Sequence, residues 1–228
     1  MRRVPRADWL TTARQTLPRL IRLVRELEPT YFLPDSRAVS PEFLRSEGIR
    51  AVVWDVDGTL MSYHAPAVDP EFVPTLQALE AMGVGQAILS NCGEERFVEL
   101  GRMFPHWPVV RAYQLGSDRI YRVLLRGQDS LGTREASALL GQGAHQVRKP
   151  DGPLFLHTLG VLGDLQPEEA LMVGDQHLTD IATANLASAR SAKVPAWRRE
   201  TFPFPVRASQ WLELALYRLT RRGSSRSS

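Results

Sequence analysis

The stretch that decides the fold is residues 49–60, IRAVVWDVDGTL, in which an apolar run ends in two carboxylates. The run is short and rich in β-branched and aromatic residues, which predicts a buried β-strand. Asp55 and Asp57 follow it one residue apart, and Gly58 comes next. Two carboxylates this close repel each other unless a cation offsets their charge. The stretch therefore predicts a strand whose carboxyl end carries a charged site.

The rest of the chain alternates between helical and strand-like segments. The predicted elements are, in chain order, helix 70–83, strand 84–91, helix 94–104, strand 108–113, helix 153–163, strand 170–175, helix 179–187, strand 190–194 and helix 209–219. Such alternation is typical of βαβ units. We predict an α/β fold, a three-layer doubly wound parallel sheet with little or no cap domain. Ligands bind such sheets outside the carboxyl ends of the strands.

Composition divides the chain into three parts. Within residues 1–45, apolar residues at helical spacing alternate with arginines and are followed by EPTYFLP, which predicts a basic amphipathic helix and a linker. Residues 46–220 form the predicted α/β domain, with an insertion at about residues 115–146 that does not fit the alternation. The serine-rich end, residues 221–228, is predicted to be disordered.

Charge is unevenly distributed, although the formal net charge is only +3. Arginines dominate residues 1–25, where Asp8 is the lone acid, and recur near the C-terminal end. This bias indicates a polyanionic surface as partner, and solvated helix faces are the alternative. We expect peripheral contact with an anionic membrane rather than nucleic acid. An organelle transit peptide is a further interpretation of the arginine-rich start.

Two features bear on the location of the chain. No apolar run in the sequence approaches the length of a membrane-spanning helix. Cys92 is the single cysteine, which excludes an internal disulfide and a cysteine-based zinc site. We therefore expect a cytoplasmic protein, in contact with a membrane at most through its surface.

Further polar residues follow the other predicted strands. They are Ser90 and Asn91 after the second strand, Lys149 before Pro150, and Asp175 and Asp180 after a later strand. Because the carboxyl ends of parallel strands meet at one edge, we expect these residues to join Asp55 and Asp57. Several carboxylates indicate a hard cation, and Mg²⁺ is the natural choice. A hydroxyl, main-chain N–H groups and an ammonium beside Mg²⁺ indicate a site for a phosphoryl group.

The order of these motifs resembles the haloacid dehalogenase superfamily of Mg²⁺-dependent phosphatases. DxDGT, Ser-Asn, Lys-Pro and GDx4D occur in the order of that superfamily, over roughly residues 52–180. The segments LEPTYFLP, ILSNCGEERF and VGDQHLTDIATAN are similar to subfamily III A, the YqeG-like group that includes mitochondrial-type phosphatidylglycerophosphatases. The resemblance implies the Rossmann-like fold of the superfamily and hydrolysis of a phosphomonoester.

The resemblance also implies a role for each matching residue. Asp55 is the implied nucleophile, which forms an aspartyl-phosphate intermediate. Asp57 is implied to protonate the leaving alcohol and then to activate the hydrolytic water. Ser90 and Lys149 are implied to hold the oxygens of the transferred phosphoryl group.

The implied binding residues complete this set. The implied Mg²⁺ ligands are Asp55, Asp57 through its main-chain carbonyl, Asp175 and Asp180, the last of which is also implied to orient a metal-bound water or Lys149. The implied substrate-binding residues are Ser90, Asn91, Lys149 and Thr59.

Substrate and function stay open at this point. A site without a cap suits a bulky or membrane-embedded phosphomonoester such as phosphatidylglycerophosphate. One alternative is a phosphatase for a soluble metabolite or nucleotide. A second is a non-catalytic binding module whose arginine-rich ends bind RNA or a protein partner.

Overall fold

The computed structural model describes residues 26–204 together with residues 207, 211 and 217. Three predicted segments lie wholly or mostly outside the described residues: the tail at 221–228, the N-terminal helix and the helix 209–219.

The described residues form strands and helices in close to regular alternation. The strands are β1 (Tyr31–Phe32), β2 (Ala51–Trp54), β3 (Gly85–Ile88), β4 (Val109–Leu115), β5 (Asp118–Leu125), β6 (Gln128–Asp129), β7 (His145–Val147), β8 (Ala170–Gly174) and β9 (Arg190–Lys193). The helices are α1 (Pro41–Glu47), α2 (Val73–Ala81), α3 (Glu94–Met103), α4 (Thr133–Gly141), α5 (Gly152–Val161) and α6 (Ala182–Leu186). A π-helical turn, His177–Ile181, leads into α6.

All of these strands belong to one sheet. Its order is β1-β9-β8-β2-β3-β4-β5-β6, and β7 also pairs with β4. The strands from β1 to β4 in this order pair in parallel. Trp54 of β2 lies opposite Ile88 of β3 and Val173 of β8, so the carboxyl ends of these three central strands are level. The residues that follow them therefore meet at one edge.

The core lies on both faces of this sheet. Val52 and Trp54 of β2 pack in one apolar cluster, and Ala51 and Val53 pack in another. Since alternate residues of a strand point to opposite faces, the two clusters lie on opposite sides of the sheet. The first contains side chains of α2 and α3, and the second contains side chains of α5 and α6. The predicted three-layer α/β fold is confirmed.

The helix after Lys149 begins where its sequence predicts. The Asp151 carboxylate accepts a hydrogen bond from the main-chain N–H of Leu154 at 2.7 Å, and Pro153 stands in the first turn. Capping by an aspartate and an early proline are both typical of a helix start.

The insertion at 115–146 corrects the expectation of a wholly parallel sheet. β5 pairs antiparallel with β4 over its whole length, β6 follows, and β7 returns antiparallel beside Ala112–Gln114. The strand pattern of β5 is hard to recognise because Arg122 occupies a fully buried position where an apolar residue would be expected. The segment extends the sheet sideways.

The predicted linker takes part in the fold. Tyr31 of β1 lies opposite Ala192 of β9, and Leu44 of α1 is buried in the core. Between Asp57 and β3 the chain contains a single helix, α2, in keeping with the prediction of little or no cap. Among the described residues, none of the helices has the length and apolar character needed to cross a membrane.

Candidate active site

Asp55 lies at the centre of the sheet edge. Its main-chain N–H donates to the carbonyl of Val173 at 2.9 Å, which continues the pairing of β2 with β8 for one more residue. Its buried carboxylate accepts a hydrogen bond from Lys149 Nζ at 2.7 Å and one from the buried Thr59 hydroxyl at 3.4 Å. Both oxygens of Asp55 are thus oriented by neighbouring side chains.

Lys149 is held from both its main chain and its side chain. The Asn91 side chain accepts from the Lys149 N–H at 2.7 Å and donates to the Lys149 carbonyl at 3.1 Å. At the other end Nζ donates to Asp180 Oδ1 at 2.6 Å as well as to Asp55. Both polar atoms of the Asn91 side chain, which was predicted to contact substrate, therefore bond the main chain of Lys149.

Asp175 and Asp180 come from the end of β8 and the π-helical turn. The Asp180 carboxylate accepts from the Gln176 N–H at 3.0 Å and from the Thr179 hydroxyl at 3.3 Å. It lies directly over Gly174, where an added Cβ would collide with it. The position of the Asp180 carboxylate therefore requires a glycine at position 174.

The three buried carboxylates are close enough to share one ion. Asp55, Asp175 and Asp180 each offer an oxygen within 4.8 Å of the others, and among the described residues these form the group of acids that could hold a metal. With Lys149 they leave two negative charges uncompensated when all four side chains are ionised. An all-oxygen, net-negative donor set fits a hard divalent cation. The cluster can therefore hold such a cation.

Burial changes the protonation of this group. Burial raises the pKa of Asp55 to about 7, although the Lys149 ammonium opposes the rise and Asp180 adds to it. For Lys149, burial lowers the pKa, but Asp180 and Asp55 outweigh it and the net shift is upward. The ammonium is therefore charged at neutral pH.

Asp57 lies near Asp55, and its charge adds to the rise in the pKa of Asp55. Asp57 Oδ1 accepts from the His64 N–H at 2.9 Å and lies 3.5 Å from Arg96 Nη2. Gly58, at φ +88°, turns the chain here, and a Cβ on it would lie 2.5 Å from Phe202. The predicted metal contact of Asp57 uses its main-chain carbonyl, so its carboxylate is available for other chemistry.

Ser90 is brought to the same edge by the loop between β3 and α3. The N–H of Leu89 donates to the carbonyl of Trp54 at 3.0 Å, which sets the start of this loop beside Asp55. Ser90 is half-buried, and its hydroxyl hydrogen-bonds the Cys92 side chain.

A second charged cluster, which we call the rear cluster, consists of Arg111, Arg122, Glu94 and Asp129. Arg111 is 1% exposed and Arg122 is 0% exposed. Arg111 pairs with Glu94, and Arg122 pairs with Glu94 at 2.8 Å and with Asp129 at 2.7 Å. Both guanidinium groups also face the Phe97 ring, at 4.2 and 5.1 Å from its centre.

The rear cluster supports the loop that carries Ser90 and Asn91. Arg111 Nη2 donates to the carbonyl of Cys92 at 2.8 Å and to that of Gly93 at 3.3 Å. Gln146 of the insertion donates to the same Cys92 carbonyl at 3.1 Å. The sequence analysis missed these residues and Arg96. The sequence feature that could have indicated them is an arginine within each apolar segment that forms β4 and β5, Arg111 and Arg122.

Comparison with known proteins agrees with this fold. The family model for HAD-hydrolase-like proteins matches residues 146–196, which include Lys149, Asp175 and Asp180. The chain is 24% identical over 160 residues to the "Probable phosphatase YqeG" of Bacillus subtilis (strain 168), covering 68% of this chain and 72% of that protein.

Two solved structures overlap partially with this chain. A crystal structure of an uncharacterized protein from Listeria monocytogenes serotype 4b aligns with TM-score 0.40 and 22% identity, over 63% of this chain and 76% of that one. The p-nitrophenyl phosphatase from Archaeoglobus fulgidus aligns with TM-score 0.21 and 16% identity, over 72% of this chain and 63% of that one.

The described residues form an α/β fold, and its clustered buried acids can bind a divalent cation. The motif order, the sheet and the family match over residues 146–196 point to a phosphatase similar to those of the haloacid dehalogenase superfamily.

Proposed function

We propose that this phosphatase hydrolyses phosphomonoesters in a Mg²⁺-dependent reaction that passes through an aspartyl-phosphate on Asp55. The observation that supports this most directly is the contact of Lys149 with both Asp55 and Asp180, beside Asp175. A nucleophilic carboxylate needs cations around it, because the phosphoryl group that it attacks is itself negatively charged.

In the first step an oxygen of Asp55 bonds to phosphorus while the bond from phosphorus to the leaving alcohol breaks. Asp57, which lies near Asp55, delivers a proton to the leaving oxygen. Lys149 and Ser90 bind oxygens of the transferred group. Thr59 keeps the attacking carboxylate in place through its hydrogen bond to Asp55.

In the second step water attacks phosphorus and the bond between phosphorus and Asp55 breaks. Asp57 accepts the proton from this water, which restores its starting state. Inorganic phosphate leaves and the Asp55 carboxylate is regenerated. Atoms and charges balance over the two steps, with one water consumed for each ester hydrolysed.

The residues that would hold the cation are Asp55, Asp175 and the main-chain carbonyl of Asp57. Asp180 positions Lys149 and can orient water on the cation. When bound, Mg²⁺ offsets the charge that builds up between the nucleophile and the phosphoryl oxygens. Asn91 acts as a positioning residue in this scheme, because both its polar atoms bond the main chain of Lys149.

For the substrate we favour a phosphomonoester at a membrane surface, such as phosphatidylglycerophosphate. Phe204 and Trp211 are 80% and 70% exposed, and with Arg199 and Arg207 they line a cavity of about 520 Å³. Exposed aromatic rings beside arginines suit the interface of an anionic bilayer. The chain that carries these exposed residues passes close to the site, since the ring of Phe202 faces Gly58.

The test of the catalytic proposal is phosphate release from p-nitrophenyl phosphate with Mg²⁺ and with chelator. We expect activity in Mg²⁺ alone, and loss of at least about a thousandfold in Asp55→Asn, because no nucleophile remains. Asp118→Asn, which changes an exposed aspartate at the start of β5, is the matched control and should retain full activity. Equal activity of Asp55→Asn and wild type would refute the proposal.

The test of the lipid substrate compares phosphatidylglycerophosphate in anionic vesicles with soluble phosphomonoesters and nucleotides. We expect the highest kcat/KM on vesicles and a decrease at high salt, because exposed arginine contacts are screened. Equal or higher kcat/KM on a soluble metabolite or nucleotide would favour that alternative.

A further inference from the structure

A second cavity of about 520 Å³ opens beside Asp57. Its lining residues are His64, Pro66, Arg96, Glu99, Arg102 and Met103. This volume lies in the range typical of small-molecule sites, about 300–1,000 Å³. The cavity is therefore large enough for an organic group of several atoms.

The cavity is placed to receive the leaving group of the proposed reaction. Two of its lining residues contact Asp57 directly, His64 through its main-chain N–H at 2.9 Å and Arg96 at 3.5 Å. Asp57 is the residue proposed to protonate the leaving oxygen. The alcohol must extend from that oxygen, so the wall formed by His64 and Arg96 lies next to it.

One face of α3 supplies the charged wall of the cavity. Arg96 and Glu99 are separated by three residues, as are Glu99 and Arg102, so the three side chains lie on the same side of the helix. Arg96 is buried and fixed, since its Nη2 donates to the Ala65 carbonyl at 2.7 Å and Nη1 pairs with Glu99 at 3.1 Å. Arg102 is exposed, and within the described part of the chain no ion pair involves it.

The charges of the lining favour an anion. Two guanidinium groups line the cavity with one lining carboxylate, that of Glu99, which pairs with Arg96 and leaves Arg102 outside any ion pair among the described residues. A guanidinium binds a carboxylate or phosphate through two parallel hydrogen bonds, which makes Arg102 a suitable partner for such a group. Met103 and Pro66 offer apolar contacts for the carbon chain that joins the leaving oxygen to this anionic group.

We infer that this cavity is a leaving-group subsite for alcohols that carry a second anionic group, a carboxylate or a phosphate, a few bonds from the scissile oxygen. The inference rests on the proposed function and names the class of substrate that the site prefers. Arg102 is its specificity-determining residue, and Arg96 forms the fixed part of the wall.

The test uses matched phosphomonoesters of three four-carbon alcohols that differ only in the group at the far end. They are 4-hydroxybutyl phosphate, 4-phosphooxybutanoate and 1,4-butanediol bisphosphate. A further pair carries the second charge as a phosphodiester, free in solution or at a vesicle surface, to separate a soluble from a lipid source. In wild type we expect kcat/KM about tenfold higher for compounds with the second charge than for the neutral one.

Variants assign the preference to the cavity. Arg102→Gln should lower the ratio of kcat/KM, charged over neutral compound, by about three- to tenfold, and Glu99→Gln should raise it. Arg134→Gln removes an exposed arginine from α4 and should leave the ratio unchanged.

Two failures are distinguishable. If wild type hydrolyses all compounds with the same kcat/KM, or if Arg102→Gln and Arg134→Gln keep the same ratio, the subsite is refuted and the proposed function stands. If wild type hydrolyses none of them and is also inert on p-nitrophenyl phosphate, both are refuted.

Discussion

The active-site cluster and the rear cluster contain the same kinds of side chain in different proportions. In the rear cluster two arginines face two carboxylates, and every one of the four groups has an oppositely charged partner. In the active-site cluster Lys149 faces the three carboxylates of Asp55, Asp175 and Asp180. The charges of the rear cluster balance, whereas the active-site cluster has an excess of carboxylates that a bound cation can offset.

The pKa shifts follow this difference. Hydrogen bonds from Arg122 lower the pKa of Asp129, so that carboxylate is charged over the whole physiological range. Burial raises the pKa of Asp55 to about 7, and the charge of Asp180 adds to the rise while Lys149 opposes it. Equal numbers of buried positive and negative side chains therefore indicate a structural cluster, and an excess of buried carboxylates indicates a ligand site.

The largest expected effect is that of Lys149→Met. It should lower kcat/KM by about a thousandfold or more, because the cation that binds the phosphoryl group is lost. It should also lower the free energy of unfolding by about 3–5 kcal/mol in chelator, since Asp55 and Asp180 become an uncompensated buried pair. Urea unfolding with and without Mg²⁺ measures this, and Mg²⁺ should restore part of the loss. A variant as stable as wild type in chelator would contradict the account.

The next effect is that of Arg122→Met in the rear cluster. We expect the free energy of unfolding to fall by about 2–4 kcal/mol, because Asp129 loses its arginine partner and Glu94 loses one of its two. Unlike the loss in Lys149→Met, this loss should be the same with and without Mg²⁺. Arg134→Met, at an exposed position on α4, is the control and should change stability by less than about 0.5 kcal/mol. Recovery of Arg122→Met by Mg²⁺ would remove the distinction between the clusters.

The third effect concerns pH and the cation. The pKa of Asp55 is raised to about 7 from its usual 3.8, so below pH 7 a cation must displace a proton from the folded protein. Affinity for Mg²⁺ should therefore decrease by about tenfold for each pH unit below 7 and level off above it. In chelator the free energy of unfolding has the opposite pH dependence, because Asp55 binds its proton more tightly in the folded than in the unfolded protein. The stability that protonated Asp55 contributes is present at low pH and is lost as pH rises through 7. Calorimetric titration with Mg²⁺ between pH 5.5 and 8 measures the affinity, and a flat profile would contradict the raised pKa.

The smallest effect is that of Asn91→Ala. The Lys149 main chain loses two hydrogen bonds, and we expect kcat to fall by about three- to tenfold while KM for p-nitrophenyl phosphate changes less. Asn185→Ala removes a comparable amide that bonds the main chain of residues 26 and 28, away from Lys149, and should leave kcat unchanged. Identical kcat in the two variants would show that the Asn91 contact does not position the lysine.

Much of the fold was predictable because its signals are local. Apolar runs, proline and aspartate at a helix start, and carboxylates at strand ends predicted β2, β3, β8 and α5 close to their observed positions. The gathering of Asp55, Asp175 and Asp180 followed from one rule, that parallel strands end at a common edge. Lys149 follows β7, which is antiparallel to β4, so this rule does not account for its position.

The parts that were not predicted depend on contacts between distant segments. Arg122 is buried only because Glu94 and Asp129 approach it from other elements, and a single strand does not reveal such partners. The direction of the Asp57 carboxylate depends on Arg96, which arrives from α3. The pairing of β7 beside β4 likewise depends on the hairpin that precedes it.

The most direct test of the central claim is chemical trapping of the intermediate on Asp55. Wild type is mixed with Mg²⁺ and excess p-nitrophenyl phosphate, quenched in acid within the first turnovers and reduced with borohydride, which converts an aspartyl-phosphate into homoserine. The account predicts homoserine at position 55 by peptide mass spectrometry, at no other aspartate, and only when substrate is present. Rapid phosphate release with Asp55 unmodified and Asp55→Asn still active would contradict it.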